Sequence, residues 1–182
     1  YEISACLVGS EMCIRDRGAY RSIGINRNDF MALLQMRPDQ PEESRAVEWV
    51  AYASNAFNTM VPFYANVERT PEYLANTTGT VSTDNFYWTS RLIAAMADAS
   101  YNKSLFHLER YEEAVLSAAR ALVNQYDAKL AAEPDAARRA ALREEANTAI
   151  AAMLQEKAAD TLDKVLFELS SQMKNAYSRS DA

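Results

Sequence analysis

The chain has 182 residues, 49% hydrophobic and 24% charged, the proportions of a single globular domain. Nineteen Lys and Arg against 25 Asp and Glu give a formal net charge of −6, a balance that repels phosphate backbones and argues against nucleic-acid binding. No apolar run approaches the roughly 20 residues of a membrane-spanning helix, and with four glycines, two cysteines and one histidine there is neither a phosphate-cradling loop nor a Cys/His metal cluster, a carboxylate-only metal site staying open.

Residues 7–17 resemble the translation of a transposon adapter used in preparing sequencing libraries, so residues 1–17 are read as a non-native segment outside the fold. The stretch lacks the basic start and long apolar core of a secretory signal. Cys6 and Cys13 lie in or beside it, and their spacing fits no redox or zinc motif. The domain proper is therefore residues 18–182, with strands over about 20–66 and helices over about 83–177.

Asn26-Arg27-Asn28-Asp29 predicts a turn. Phe30 to Met36 is a continuous apolar run too short for a helix, and Pro38 and Pro41 force an extended turn after it. Residues 46–53, rich in β-branched and aromatic side chains, predict a half-buried strand. Short links between these runs imply antiparallel pairing.

From Thr83 the hydrophobic period changes from two to about 3.6. Thr83 or Asp84 is placed to cap a helix through Trp88, Leu92, Ile93 and Met96. A second helix carries one apolar stripe through Leu105, Leu108, Tyr111, Val115, Ala119, Leu122, Tyr126 and Leu130. Pro134 suits the start of a third, whose stripe runs Leu142, Ala146, Ala149, Met153, Leu162, Val165, Leu169, Met173, with a break expected near Asp160-Thr161. Strands followed by helices make the fold class α+β, with helices packed on one face of an antiparallel sheet. Three or four strands are few for so much helix, so the chain looks incomplete and exposes apolar sheet surface. Purified alone, it is expected to aggregate or to be molten.

His107 has no nucleophile at a recognisable elbow and reads as structural. Glu112-Glu113 and Glu144-Glu145 read as solvated helix faces, with Arg138, Arg139 and Arg143 paired within their helix. Trp49, Trp88 and the ten tyrosines read as core and packing residues. The stretch after the second strand differs: Asn55, Asn58 and Thr59 stand at a strand's end, where polar groups serve as oxyanion donors or position a substrate. Asparagine is equally a routine turn residue.

Asn26-Arg27, residues 33–37 (LLQMR), Trp49, residues 61–65 (VPFYA), residues 82–88 (STDNFYW) with Arg91, and the ending 173–181 (MKNAYSRSD) resemble the C-terminal portion of the C69 dipeptidase family. The resemblance runs from about Tyr20 to Ala182 in order. It implies a partial N-terminal-nucleophile hydrolase fold, two sheets between helical layers, and a cytoplasmic cysteine dipeptidase without cofactor or metal. In that family the thiolate of an N-terminal cysteine attacks the peptide carbonyl and its own α-amino group handles the proton. No nucleophile is present in this chain, since Cys6 and Cys13 have the wrong context, so the fragment alone is expected to be inactive. By looser analogy to related amide hydrolases, Asn55 or Asn58 contributes to an oxyanion hole and Arg91 orients the cysteine or clamps a carboxylate. The expected partner is a dipeptide substrate; homo-oligomerisation stays open, and neither membrane nor nucleic acid is expected. An acylase-like or secernin-like amide hydrolase and a non-catalytic helical interaction module are the alternatives.

Overall fold

The computed structural model describes residues 28–173, residue 55 through its backbone alone. The adapter-like segment, both cysteines, Asn26-Arg27 and the chain past Met173 lie outside the described residues. Strand β1 spans Phe30–Met36, β2 Ala46–Tyr52 and β3 Val61–Tyr64; helix α1 spans Glu72–Ala75, α2 Phe86–Ala99, α3 Tyr101–Ala132 and α4 Ala136–Ser170. Short 3-10 turns at Glu42–Ser44 and Asn55–Phe57 flank β2. The fold is α+β, as the pattern predicts.

The sheet has the order β1-β2-β3 and is antiparallel throughout. Its register pairs Val47 with Tyr64 and Val50 with Val61. Val47 and Val50 are three residues apart, so the two pairs lie on opposite faces. Each face has its own buried cluster. Val47 and Tyr64 pack with Tyr126, Leu130, Leu142 and Ala146, while Val50, Val61 and Phe63 pack with Phe86, Ile93, Val115, Ile150 and Leu154. Helices thus reach both faces, not the single face expected, because α3 and α4 together pass around the β3 edge.

That edge is closed by chemistry. Tyr64 N–H donates to Asn147 Oδ1 (2.8 Å), and Asn147 Nδ2 donates to the Tyr64 carbonyl (3.0 Å), so one side-chain amide from α4 replaces a neighbouring strand. Pro62 lies two residues earlier on the same side, where a missing N–H costs no ladder bond.

The helices form where the period predicted, with local differences. The cap of α2 is Asn85, whose Oδ1 accepts from Trp88 N–H at 2.9 Å, rather than Thr83 or Asp84. Helix α4 begins after Asp135, which accepts from Arg138 N–H. It runs unbroken for 35 residues, about 52 Å at 1.5 Å per residue. No break occurs at Asp160-Thr161: Asp160 pairs with Lys164 one turn on, and the Thr161 hydroxyl back-bonds to the Lys157 carbonyl four residues earlier, as a threonine inside a continuing helix does, so neither side chain caps a new turn. The buried seam of α4 runs Leu142, Ala146, Ile150, Leu154, Ala158, Thr161, Val165, leaving Ala149, Met153 and Leu162 on its flank. Alanine at Ala146 and Ala158 lets α3 approach closely, with Val115 and Ala119 facing it in the core.

β1 is the exception to this burial. Phe30, Leu33, Leu34 and Met36 are 55%, 56%, 76% and 66% exposed, side chains from both faces of one strand. At its far end Arg37 turns inward, with Nη1 2.6 Å and Nη2 3.1 Å from the Asp127 carboxylate of α3. The Tyr64 hydroxyl donates to the same carboxylate at 2.7 Å. Burial first, and the negative Asp127 beside it second, push the Tyr64 hydroxyl well above the ordinary tyrosine value of 10.0.

Candidate active site

The end of β2 is shaped by one residue in an uncommon conformation. Ala53 has φ 64°, the left-handed region, which costs a non-glycine residue roughly 1–2 kcal/mol. Its N–H donates to the Asp29 carbonyl at 2.7 Å, tying this corner to the start of β1. The corner throws the chain into the Asn55–Phe57 turn, which packs against α2. Phe57 anchors the turn edge-on against Tyr101, 6.2 Å between ring centres.

Arg91 sits on α2 opposite this turn. Its Nη1 lies 2.9 Å from Asp29 Oδ1, and its guanidinium lies 5.9 Å from the ring centre of Tyr87, one helical turn back. Asp29, Ser54, Phe57, Arg91, Ala94 and Asp98 line a cleft of about 370 Å³, in the range of small-molecule sites. Two carboxylates and one guanidinium make its lining zwitterionic. Asn55 opens the turn between Ser54 and Phe57, both of which line the Arg91 cleft.

Asn58 goes elsewhere. Its Nδ2 donates to the Tyr52 carbonyl and its Oδ1 accepts from Thr59 N–H at 2.8 Å, a staple across the loop between β2 and β3. Asn58 and Thr59 line a separate cleft of about 710 Å³ between β1, with Leu33 and Gln35, and α3, with Leu116 and Arg120. The candidates Arg91 and Asn58 are therefore divided: Arg91 lines one cleft and Asn58 another.

Asp29 and Asp98 were missed from sequence. Asp29 reads as a turn residue, and nothing local links it to an arginine 62 positions away. The arginines expected to pair within α4 behave differently. Arg138 does bind Glu145, but Arg139 reaches Glu43, and buried Arg143 donates from Nε to the Asn66 carbonyl. Glu144 is not merely solvated, since it accepts from Glu68 and Arg69 N–H groups. The contact with Arg139, after the Glu43 backbone hydrogen bond, helps hold the Glu43 carboxyl below its usual range. His107 faces Glu168 at 3.5 Å across the α3–α4 pair. Trp49 and Trp88 are half-buried rather than core, their indole N–H groups bound to Gln35 and the Thr78 carbonyl. Among the described residues no group of three or more His, Cys, Asp or Glu is placed to hold a metal ion, and no helix is long and apolar enough to cross a membrane.

Sequence comparison gives this geometry a context. "Probable dipeptidase A" of Streptococcus pyogenes serotype M18 is 42% identical over 173 residues, covering 95% of this chain and 36% of the relative. The "Dipeptidase" of Bifidobacterium longum is 37% identical over 204 residues, covering 92% and 38%. "Dipeptidase A" of Lactobacillus helveticus is 39% identical over 93 residues, covering 51% and 19%. The chain spans little more than a third of the length of the first two. The profile of peptidase family C69 matches residues 6–114, more than half of the chain, and the chain accordingly belongs to peptidase family C69.

Proposed function

We propose that this chain is the part of a dipeptide-hydrolysing enzyme that supplies the Arg91 side of its active site. The observation that carries the reading is the cleft that Arg91 shares with Ser54 and Phe57, the residues on either side of the Asn55 turn, next to a left-handed Ala53, in a chain of a peptidase family. A strained non-glycine residue beside a zwitterionic cleft is the kind of corner that catalytic geometry retains. Membership of C69 and relatives named as dipeptidases support the substrate class. A dipeptide carries one ammonium and one carboxylate, and the Asp29, Asp98 and Arg91 lining complements both charges.

The proposed chemistry is amide hydrolysis by an N-terminal cysteine in an N-terminal-nucleophile fold, contributed by polypeptide outside the described residues. The thiolate attacks the scissile carbonyl, and the tetrahedral oxyanion accepts hydrogen bonds, with Asn55 as the proposed donor. The cysteine α-amino group passes the proton to the departing amine, and water then releases the acyl group as a carboxylate. Arg91, held by Asp29, fixes the cysteine or the dipeptide carboxylate through a two-pronged guanidinium contact. Asn58, with its amide committed to Tyr52 and Thr59, is assigned to holding the loop.

Expression of the full-length gene and assay on a dipeptide panel tests the reading, with Arg91→Ala as the diagnostic variant. Hydrolysis lowered strongly by Arg91→Ala supports it. Cleavage of N-acyl amides but not dipeptides identifies an acylase instead, and activity indifferent to Arg91 removes this cleft from the site.

A further inference from the structure

The two edges of the sheet are finished differently. The outer edge of β3 is blunted by Pro62 and by the Asn147 amide. Among the described residues the outer edge of β1 has neither device. Arg37 N–H donates to the Arg45 carbonyl, and the Asp29 carbonyl accepts from Ala53 N–H, so the odd-numbered residues of β1 turn their backbone toward β2. By alternation, Phe30, Ala32, Leu34 and Met36 turn theirs outward. The strand has no charge, proline or glycine, the usual protections of an edge. Its side chains are exposed on both faces, and the 710 Å³ cleft beneath one face continues to α3. A strand that is apolar on both faces is the pattern of a sheet interior.

We propose that β1 is an interior strand of a larger sheet. The polypeptide that the longer relatives carry outside the matched stretch adds a strand along Phe30, Ala32, Leu34 and Met36 and fills the cleft between β1 and α3. This rests on the reading of the chain as part of a larger enzyme. The occupant follows from length: some 64% of the Streptococcus pyogenes relative lies outside the match, enough to cover an edge and two faces together. A second copy pairing β1 with β1 covers the edge only. The added strand also has a consequence for the site. Asp29, directly before β1, lines the Arg91 cleft, so one end of a strand laid along β1 passes that cleft.

The test co-expresses this chain with an affinity-tagged remainder of the Streptococcus pyogenes protein, its own matched stretch serving as control prey. The expected result is a one-to-one complex in which hydrogen exchange at the Phe30, Ala32, Leu34 and Met36 amides slows at least tenfold. Leu34→Glu lowers co-purification at least tenfold with an unchanged far-UV spectrum. A complex in which those four amides exchange as in the free chain overturns the proposal. So does capture of the control prey without capture of this chain. Protection that needs no bait and rises with chain concentration makes a second copy the occupant, which also overturns it. Should the bait capture neither prey, one polypeptide joining this chain to that remainder is measured instead, and unprotected β1 amides beside protected β2 amides overturn the proposal. A protected complex that hydrolyses no dipeptide leaves β1 assigned and refutes only the catalytic reading.

Discussion

Replacing Asn147 by alanine removes the amide that stands in for a fourth strand. Tyr64 is almost wholly buried, and the substitution leaves both its N–H and its carbonyl without partners. Each such group costs about 1–3 kcal/mol, so the loss is roughly 2–6 kcal/mol before any term for the vacated volume. That is a large part of the ~5–15 kcal/mol that stabilises an ordinary domain. Urea unfolding of the full-length protein at low micromolar concentration, followed by far-UV circular dichroism, measures it. With a slope of about 2 kcal/mol per molar, the midpoint falls by roughly 1–3 M at unchanged slope. Asn147→Asp sharpens the test, since its carboxylate still accepts from Tyr64 N–H but opposes the Tyr64 carbonyl. Protonation restores a donor, so the folded state raises this pKa, and the variant's stability is retained in acid and lost as pH rises. A loss below about 1 kcal/mol for Asn147→Ala, or an Asn147→Asp variant indifferent to pH, refutes the reasoning.

On the proposed function, Arg91→Ala in the full-length protein is expected to lower kcat/KM for dipeptides by about 100-fold, equivalent to ~2.7 kcal/mol. It should shift the urea midpoint little, because the Arg91–Asp29 pair is about half exposed and such pairs contribute about 1 kcal/mol or less. Asn55→Ala is expected to reduce kcat more than Asn58→Ala, which instead lowers stability by about 1 kcal/mol through the lost loop staple; steady-state kinetics beside unfolding curves separate the two. Asp127→Ala strips Arg37 and Tyr64 of their common acceptor and is expected to cost about 3 kcal/mol or more, since both members of the Arg37–Asp127 pair are mostly buried, measured by the same urea curves. Above about pH 10 the unfolded chain releases tyrosine protons that folded Tyr64 retains, so stability falls with rising pH, and Tyr64→Phe is expected to reduce that slope in unfolding curves taken from about pH 8 to 11.

The helical half was legible because its signal is local. The stripe through Leu108, Tyr111, Val115, Ala119, Tyr126 and Leu130 lies on one side of α3 by periodicity alone, and all six are buried. The break expected at Asp160-Thr161 did not occur because capping residue types cap only where the backbone already ends; continuous packing of Ala158, Thr161 and Val165 keeps α4 going. Arg139 and Arg143 misled for a related reason. A neighbour on the same helix is visible in sequence, whereas Glu43 and the Asn66 carbonyl reach them only through the fold.

By itself the sequence determined the fold class, the strand and helix segments, the resemblance to C69 peptidases and the interest of Asn55, Asn58 and Arg91, because periodicity, turn chemistry and ordered motifs are properties of short stretches. Tertiary structure decided which of those residues meet. Past the left-handed corner at Ala53, Ser54 and Phe57 line the Arg91 cleft while Asn58 lines another, and Asp29 joins Arg91 across 62 positions. It likewise decided that α4 closes the β3 edge through Asn147 while, among the described residues, no strand pairs with the outer edge of β1. Such pairings depend on how a chain doubles back on itself, and no residue pattern within a single element encodes them.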